Sequence, residues 1–236
     1  MALDSRFTTE SDHLSFKRDD GVSLTGKDLV GQSLMLGNPG NPIEIRIDGL
    51  DEHVDDTGRR TPLYRISARR HPDTAFGRLC DPDASGRDAA LTLIDEAGHV
   101  NLTCTSGAEG KCILLGYRPW ESVGATSLRD IHAACIRMIR ADYGGDGTSH
   151  TRDGTLIAFR DNLGISDFPA DNDMPFEAAW GPDGAVCVAR PRIAEILTLD
   201  DLAKAYPSLA GTVGPEVCEE GIMADNPKVL LLNRSR

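Results

Sequence analysis

Apolar and polar residues alternate with period two through much of the first hundred positions. Val22-Ser23-Leu24-Thr25 alternates, and Ile43-Glu44-Ile45-Arg46-Ile47 puts three β-branched side chains on one side of an extended chain. Leu63-Tyr64-Arg65-Ile66-Ser67 predicts another strand. Leu91-Thr92-Leu93 and Val100-Asn101-Leu102-Thr103-Cys104 flank Glu96-Ala97-Gly98 and predict a hairpin. Turn residues punctuate these runs, as in Gly37-Asn38-Pro39-Gly40-Asn41-Pro42. Short one-sided strands of this kind predict a small barrel or sandwich. Residues 1 to about 12 lack the pattern and predict a loosely attached or disordered end.

The period changes in the second half. Ala108 to Leu115 predicts a short helix ended by Gly116 and Pro119. From Ser127 the spacing becomes helical: Leu128, Ile131, Cys135 and Met138 form a stripe that Ile136 and Ile139 widen, with Arg129, Arg137 and Arg140 tending to the other side. Ser127 and Asp130 match a helix-start signal, and Gly144 suits a left-handed stop. Leu156 to Phe159 predicts a strand. Phe176 to Arg190 reads as a hairpin around Gly181-Pro182-Asp183-Gly184. Leu199 to Ala205 predicts a helix capped by Thr198 or Asp200, and Val229 to Leu232 a last strand. No internal repeat is evident. The expected fold is α+β in one domain spanning 1–236, mainly β over 12–106 and mixed over 107–236. Its N-terminal half is barrel- or sandwich-like; its C-terminal half is built round the helix at 127–143.

Charge narrows the functional classes. With 37 Asp and Glu against 25 Lys and Arg, the net charge is −12. A nucleic-acid duplex or anionic membrane would be repelled overall, and 5 % aromatic residues argue against a single-strand channel. No apolar run nears the roughly 20 residues of a membrane span, and the N-terminus shows no signal pattern. The location expected is cytoplasmic. The six cysteines form no CxxC pair and no zinc spacing, so buried thiols are expected. Neither a metal nor a cofactor is expected.

Ionisable residues concentrate between Ser127 and Ile157, where Asp142, Tyr143, Asp146, His150 and Asp153 follow the helix that carries His132. As a catalytic set, His132, Asp142, Tyr143, Asp146 and His150 would supply general acids and bases. Trp120, Arg140, Arg152 and Trp180 would wall and charge a substrate pocket. The bland readings are a core histidine, an Asp142 ion pair with Arg140 or Arg152, and turn chemistry at Asp146. The chain has no Gly-x-Ser-x-Gly elbow, and Gly144-Gly145-Asp146-Gly147 follows a helix, so it makes a poor phosphate cradle.

The run Ala141-Asp142-Tyr143-Gly144 with Gly145-Asp146-Gly147 resembles the signature of bacterial ADYC-domain proteins. The likeness extends to Cys104-Thr105-Ser106-Gly107, Lys111-Cys112 and Gly116-Tyr117-Arg118-Pro119-Trp120. Further on it includes Leu128-Arg129-Asp130 with His132 and Cys135, then His150-Thr151-Arg152-Asp153-Gly154-Thr155, and Phe176-Glu177-Ala178-Ala179-Trp180-Gly181 with Cys187. It covers roughly residues 26 to 190. The resemblance implies no defined activity. It implies that export and disulfides occur among such proteins, and that Gly144 stands where they carry Cys. Two expectations follow. One is a cytosolic, cofactor-independent acid–base enzyme of specialised metabolism acting on a small organic molecule, of cyclase, lyase or hydrolase type. The other is a non-enzymatic, cysteine-rich binding or structural module of an exported protein.

Overall fold

The computed structural model describes residues 6–10, 12–36, 42–55, 57–70, 72–95, 97–169 and 173–236. The chain divides into two compact units, Met1–Leu114 and Leu115–Arg236. The turn expected at 37–42 lies outside the described residues except for Pro42, as does Glu96 of the hairpin turn.

The first unit is nearly all β. Strands β1 (Phe7–Glu10), β2 (His13–Lys17) and β3 (Ser23–Thr25) form a small antiparallel sheet. The expected loose N-terminus is thus wrong for 7–10: Phe7 is buried and its ring lies 5.0 Å from that of Phe16. Strands β4 (Ser33–Leu36), β5 (Ile43–Val54), β6 (Arg60–Arg70), β7 (Gly77–Arg78), β8 (Ala89–Ile94) and β9 (Val100–Cys104) form the larger sheet. Its order is β4-β5-β6-β8-β9, with β7 also on β6. Helix α1 (Ala108–Leu114) follows. Leu14, Phe16, Ile45, Ile47, Tyr64, Ile66, Val100 and Leu102 share one core, so the two sheets pack face to face. Among the described residues β4 and β9 remain sheet edges, so the barrel alternative gives way to an open, sandwich-like arrangement.

One short motif turns the chain three times. Asp55, Asp83 and Asp95 each open an Asp-x-x-Gly-Arg/His segment. In each, Asp Oδ1 accepts the backbone N–H groups two and four residues on, at 2.8–3.0 Å. Oδ2 meets the side chain four residues on: Arg59 at 3.2 Å, Arg87 at 2.8 Å and His99 at 3.2 Å. The glycine takes φ near +80° in all three, a region closed to most L residues. Local carboxylate-to-amide bonds thereby close the β5–β6 and β8–β9 hairpins.

In the second unit a small hairpin, β10 (Ser122–Val123) with β11 (Thr126–Ser127), leads into α2 (Arg129–Arg140). Strands β12 (Ile157–Asp161), β13 (Asp167–Phe168), β14 (Phe176–Gly181) and β15 (Gly184–Val188) follow, then α3 (Leu199–Ala205), α4 (Glu220–Ala224) and β16 (Leu231–Ser235). The antiparallel sheet runs β13-β12-β16-β14-β15, so the last strand in sequence is the central one in space. The α2 stripe is real: Leu128, Ile131, Ala134, Cys135 and Met138 are all at most 1 % exposed. Each large apolar side chain so buried contributes about 1.5–3 kcal/mol. Side chains alternate along β16, so Asn233 faces the α2 layer while Leu232 and Arg234 face the α4 layer. The capping box falls where expected, with Thr198 and Asp201 bonded reciprocally. Among the described residues no helix is long and apolar enough to cross a membrane.

The thiol expectation is overturned. Cys80–Cys104 and Cys187–Cys218 are disulfides, Cys112 and Cys135 are also disulfide-bonded, and no cysteine is free. Spacing alone concealed this, because the paired Cα atoms, 5.4 and 5.6 Å apart, come from segments 24 and 31 residues distant.

Tyr64 makes the first core pH-sensitive at its alkaline limit. Its hydroxyl oxygen accepts the Leu14 N–H at 2.8 Å, and burial pushes the phenol up to about 12, against about 10 in an unfolded chain. Between these values the unfolded chain has lost a proton that the folded chain keeps, so stability falls as pH rises through that window and is unaffected below it. The expected loss is about 3 kcal/mol. Urea unfolding below and above this window should show it, and Tyr64→Phe should flatten that part of the profile. An unchanged slope in the variant would refute the assignment.

Candidate functional site: the C-terminal end of α2

The candidate residues meet where α2 stops. The helix ends at Ala141, three residues before Gly144. Ala141 takes the left-handed conformation, φ 50° and ψ 42°, at a cost of roughly 1–2 kcal/mol for an L residue. At the other end the expected Ser127 start is met in part: Leu128 holds the N-cap position without a side-chain bond, while Ser127, paired with Ser122 in β11, accepts the Arg129 N–H on its Oγ at 3.3 Å.

What holds Ala141 is a complete set of partners for the terminal carbonyls. Asp142 N–H bonds Arg137 O at 2.9 Å, and Ala141 N–H bonds Met138 O at 3.1 Å. Arg192 donates Nη2 to Met138 O at 2.7 Å and Nη1 to Ile139 O at 3.0 Å. His150 N–H and Ser149 Oγ bond Arg140 O at 3.0 and 3.1 Å. His150 Nδ1 lies 3.1 Å from Ala141 O. A carbonyl can only accept, so the imidazole carries its proton on Nδ1. A guanidinium at a helix C-terminus also meets the negative end of the helix dipole.

Arg192 is anchored from behind by Glu177 of β14. The pair is Nε–Oε2 at 3.0 Å, with both side chains fully buried. Glu177 Oε2 also accepts Asn233 Nδ2 at 2.8 Å, and Oε1 accepts the Tyr143 hydroxyl at 3.0 Å. The Tyr143 oxygen in turn accepts the Arg192 N–H at 2.7 Å. Trp180 donates Nε1–H to Asn233 Oδ1 at 2.7 Å, which fixes the amide so that its NH₂ faces Glu177. Tyr143 stacks on Trp180 at 5.3 Å. Burial, followed by the Glu177 charge, holds the phenol well above its ordinary value. It stays protonated as a donor and is no base near neutrality.

Asp142 is fully buried. Its Oδ2 accepts Arg137 Nη1 at 2.6 Å and Gly147 N–H at 2.9 Å, folding the glycine-rich loop back onto the helix. The partner is therefore Arg137, one turn back, in place of the expected Arg140 or Arg152. Arg140 instead donates to the Gly147 carbonyl, and Arg152 is exposed. Asp146 is exposed; its carboxylate is lowered chiefly by the Thr148 amide at 2.8 Å, which is turn chemistry.

Asp142, Tyr143, His150 and Trp180 are thus brought together, joined by Arg140 and Asp146 at the rim. His132 is buried on α2 two turns earlier, about 12 Å along the axis. Trp120 is half-buried in the loop before β10. Sequence reasoning missed Glu177, Arg192 and Asn233. The one signal was an acid inside the otherwise apolar run Phe176-Glu177-Ala178-Ala179-Trp180. Among the described residues no group of three or more His, Cys, Asp or Glu side chains is placed to hold a metal.

The geometry defines a disulfide-bonded α+β protein organised round a buried Tyr–Glu–Arg–Asn network at a helix end. The model of the ADYC domain matches residues 26–194, and the chain belongs to that family. No curated protein and no solved structure matches it.

Two outcomes test the site. Glu177→Ala leaves a buried guanidinium without its counter-charge, a change that costs about 3–5 kcal/mol; chemical denaturation should show a loss of that size. At Gly144 an added Cβ would run into the Tyr206 ring, so Gly144→Ala should cost about 1–3 kcal/mol. Adding Tyr206→Ala should recover much of that loss in a double-mutant cycle; simple additivity would show that the ring is not the obstacle.

Proposed function

We propose that the chain is a disulfide-stapled, non-enzymatic binding module that works in an oxidising compartment outside the cytoplasm. The observation that carries this reading is the cysteine inventory: all six cysteines are disulfide-bonded. Such bonds persist in oxidising compartments and are rare in the cytosol. That weighs against the cytoplasmic location expected from the N-terminus and composition.

The acid–base enzyme reading has less support. A proton-transfer group needs access to substrate and a proton affinity near the working pH. Tyr143 and Asp142 are at most 1 % exposed and are bonded to neighbouring protein groups. The Tyr143 phenol is pushed away from neutrality, and the His150 imidazole spends its Nδ1 proton on a helix carbonyl. These groups serve the fold, which leaves recognition to the surface. The partner expected is a small molecule, since a net charge of −12 disfavours nucleic acids and anionic membranes.

Thiol titration of the purified, unreduced protein in denaturant tests the proposal. The expected result is no reactive thiol, and reduction should expose all six. Six free thiols in protein from an oxidising host, with the native circular dichroism spectrum unchanged, would overturn it.

A further inference from the structure

The larger sheet of the first unit has a hollow beside the β6–β7 connection. A cleft of about 330 Å³ opens there, lined by Ile43, Ala68, Gly77 and Leu79, with Arg70 and Asp73 also bordering it. Strand register puts this lining on one side of the sheet. Ile43 stands opposite Arg70, Ile45 opposite Ala68, and Ala68 opposite Gly77. Opposed residues share a face, and so do residues two apart on one strand. The face is the one that carries Ile45 and Ile47, and Ile43, Ala68 and Leu79 lie half-buried against their core. The neighbouring Arg69 points the other way, engaged by Glu44 at 2.5 Å and stacked on Phe76. The hollow exists because Gly77 has no side chain to fill it: a Cβ there would meet only Ala68 O, at 3.9 Å.

Arg70 is the exception among the arginines of β5, β6 and β7. Arg46, Arg60, Arg65, Arg69 and Arg78 each pair with an acid, namely Asp48, Glu52, Asp51, Glu44 and Asp88. Arg70 and Asp73 are both exposed, and among the described residues neither side chain bonds another, each other included. Asp73 N–H bonds Arg70 O at 2.6 Å, which keeps the two Cα atoms within about 7 Å. The cleft therefore carries one guanidinium and one carboxylate, close together and unspent, beside an apolar floor.

We propose that this cleft binds a free amino acid with an aliphatic side chain, leucine in size. The ligand's carboxylate takes the Arg70 fork and its ammonium takes the Asp73 carboxylate. Its side chain lies in the hollow against Ile43, Ala68 and Leu79. Two unspent charges of opposite sign select a zwitterion. A simple anion would be drawn by Arg70 and repelled by Asp73, and a simple cation the reverse. Size agrees, since the volume lies at the small end of the range of about 300–1,000 Å³ typical of small-molecule sites.

This assignment rests on the binding-module reading and names its ligand class. The test is a titration of the intact, oxidised protein with L-leucine, followed by calorimetry and by amide and methyl NMR shifts. Three comparison probes each remove one feature: N-acetyl-leucine the ammonium, leucinamide the carboxylate, glycine the side chain. Leucine is expected to saturate and to shift the Gly77 amide and the Ile43 methyls, with each comparison probe weaker by about tenfold or more. Arg70→Gln should weaken leucine by about tenfold or more and leave leucinamide no weaker. Asp73→Asn should weaken leucine likewise and leave N-acetyl-leucine no weaker. Gly77→Val should fill the hollow and abolish saturable binding. All three positions are exposed, and the thermal midpoint of each variant reports its fold. No saturable binding of leucine, a comparison probe bound as tightly as leucine, or an undiminished affinity in any of the three variants would overturn the assignment. If that happens while all six cysteines remain paired, the cleft assignment falls and the module reading stands.

Discussion

The second unit depends on one buried ion pair, Glu177 with Arg192. Two charges without solvent access are costly unless every donor and acceptor finds a partner. Here Glu177 receives Tyr143, Arg192 and Asn233, while the Arg192 fork spans Glu177 and two carbonyls of α2. One side chain thus ties β14 to the helix end, and Asn233 ties the same carboxylate to the central strand β16. A lysine at 192 would bring one point charge in place of a fork and would not satisfy all three acceptors. Such a network contributes specificity of arrangement more than net stability, because an apolar replacement of equal volume is often no worse energetically.

The run Ala141–Gly144 is the other half of that device. Ala141 turns the chain left-handed, Asp142 draws the glycine loop back, Tyr143 enters the core, and Gly144 leaves room for the Tyr206 ring. Each residue has a distinct mechanical task. Asp142, Tyr143 and His150 gather because a helix terminus concentrates unsatisfied carbonyls and therefore gathers donors. A dense set of ionisable residues can arise from that need alone, without any chemistry performed on a substrate.

The first unit solves its problem differently. Its β5–β6 and β8–β9 hairpins are closed locally by Asp-x-x-Gly turns, and its long-range order comes from the face-to-face core together with the Cys80–Cys104 bond. A cross-link closing a loop of that length contributes about 3 kcal/mol, mostly by restricting the unfolded chain. That is a large addition against net stabilities of about 5–15 kcal/mol.

Period and punctuation were enough to mark β5, β6, the β8–β9 hairpin, α1, the body of α2, the β14–β15 hairpin and α3, because each is set by neighbours in sequence. The apolar stripe of α2 and the Thr198 capping box need no distant partner to be recognised. The sequence likewise carried the resemblance to the ADYC family, over roughly residues 26 to 190 against the 26–194 of the match. What it left open required contacts between remote segments. The central place of β16, the pairing of cysteines 24 and 31 residues apart, the helix stop at Ala141 and the meeting of Glu177, Arg192 and Asn233 depend on which strands lie side by side. Spacing reports the face on which a residue lies, and only the packed sheet decides which residue stands opposite.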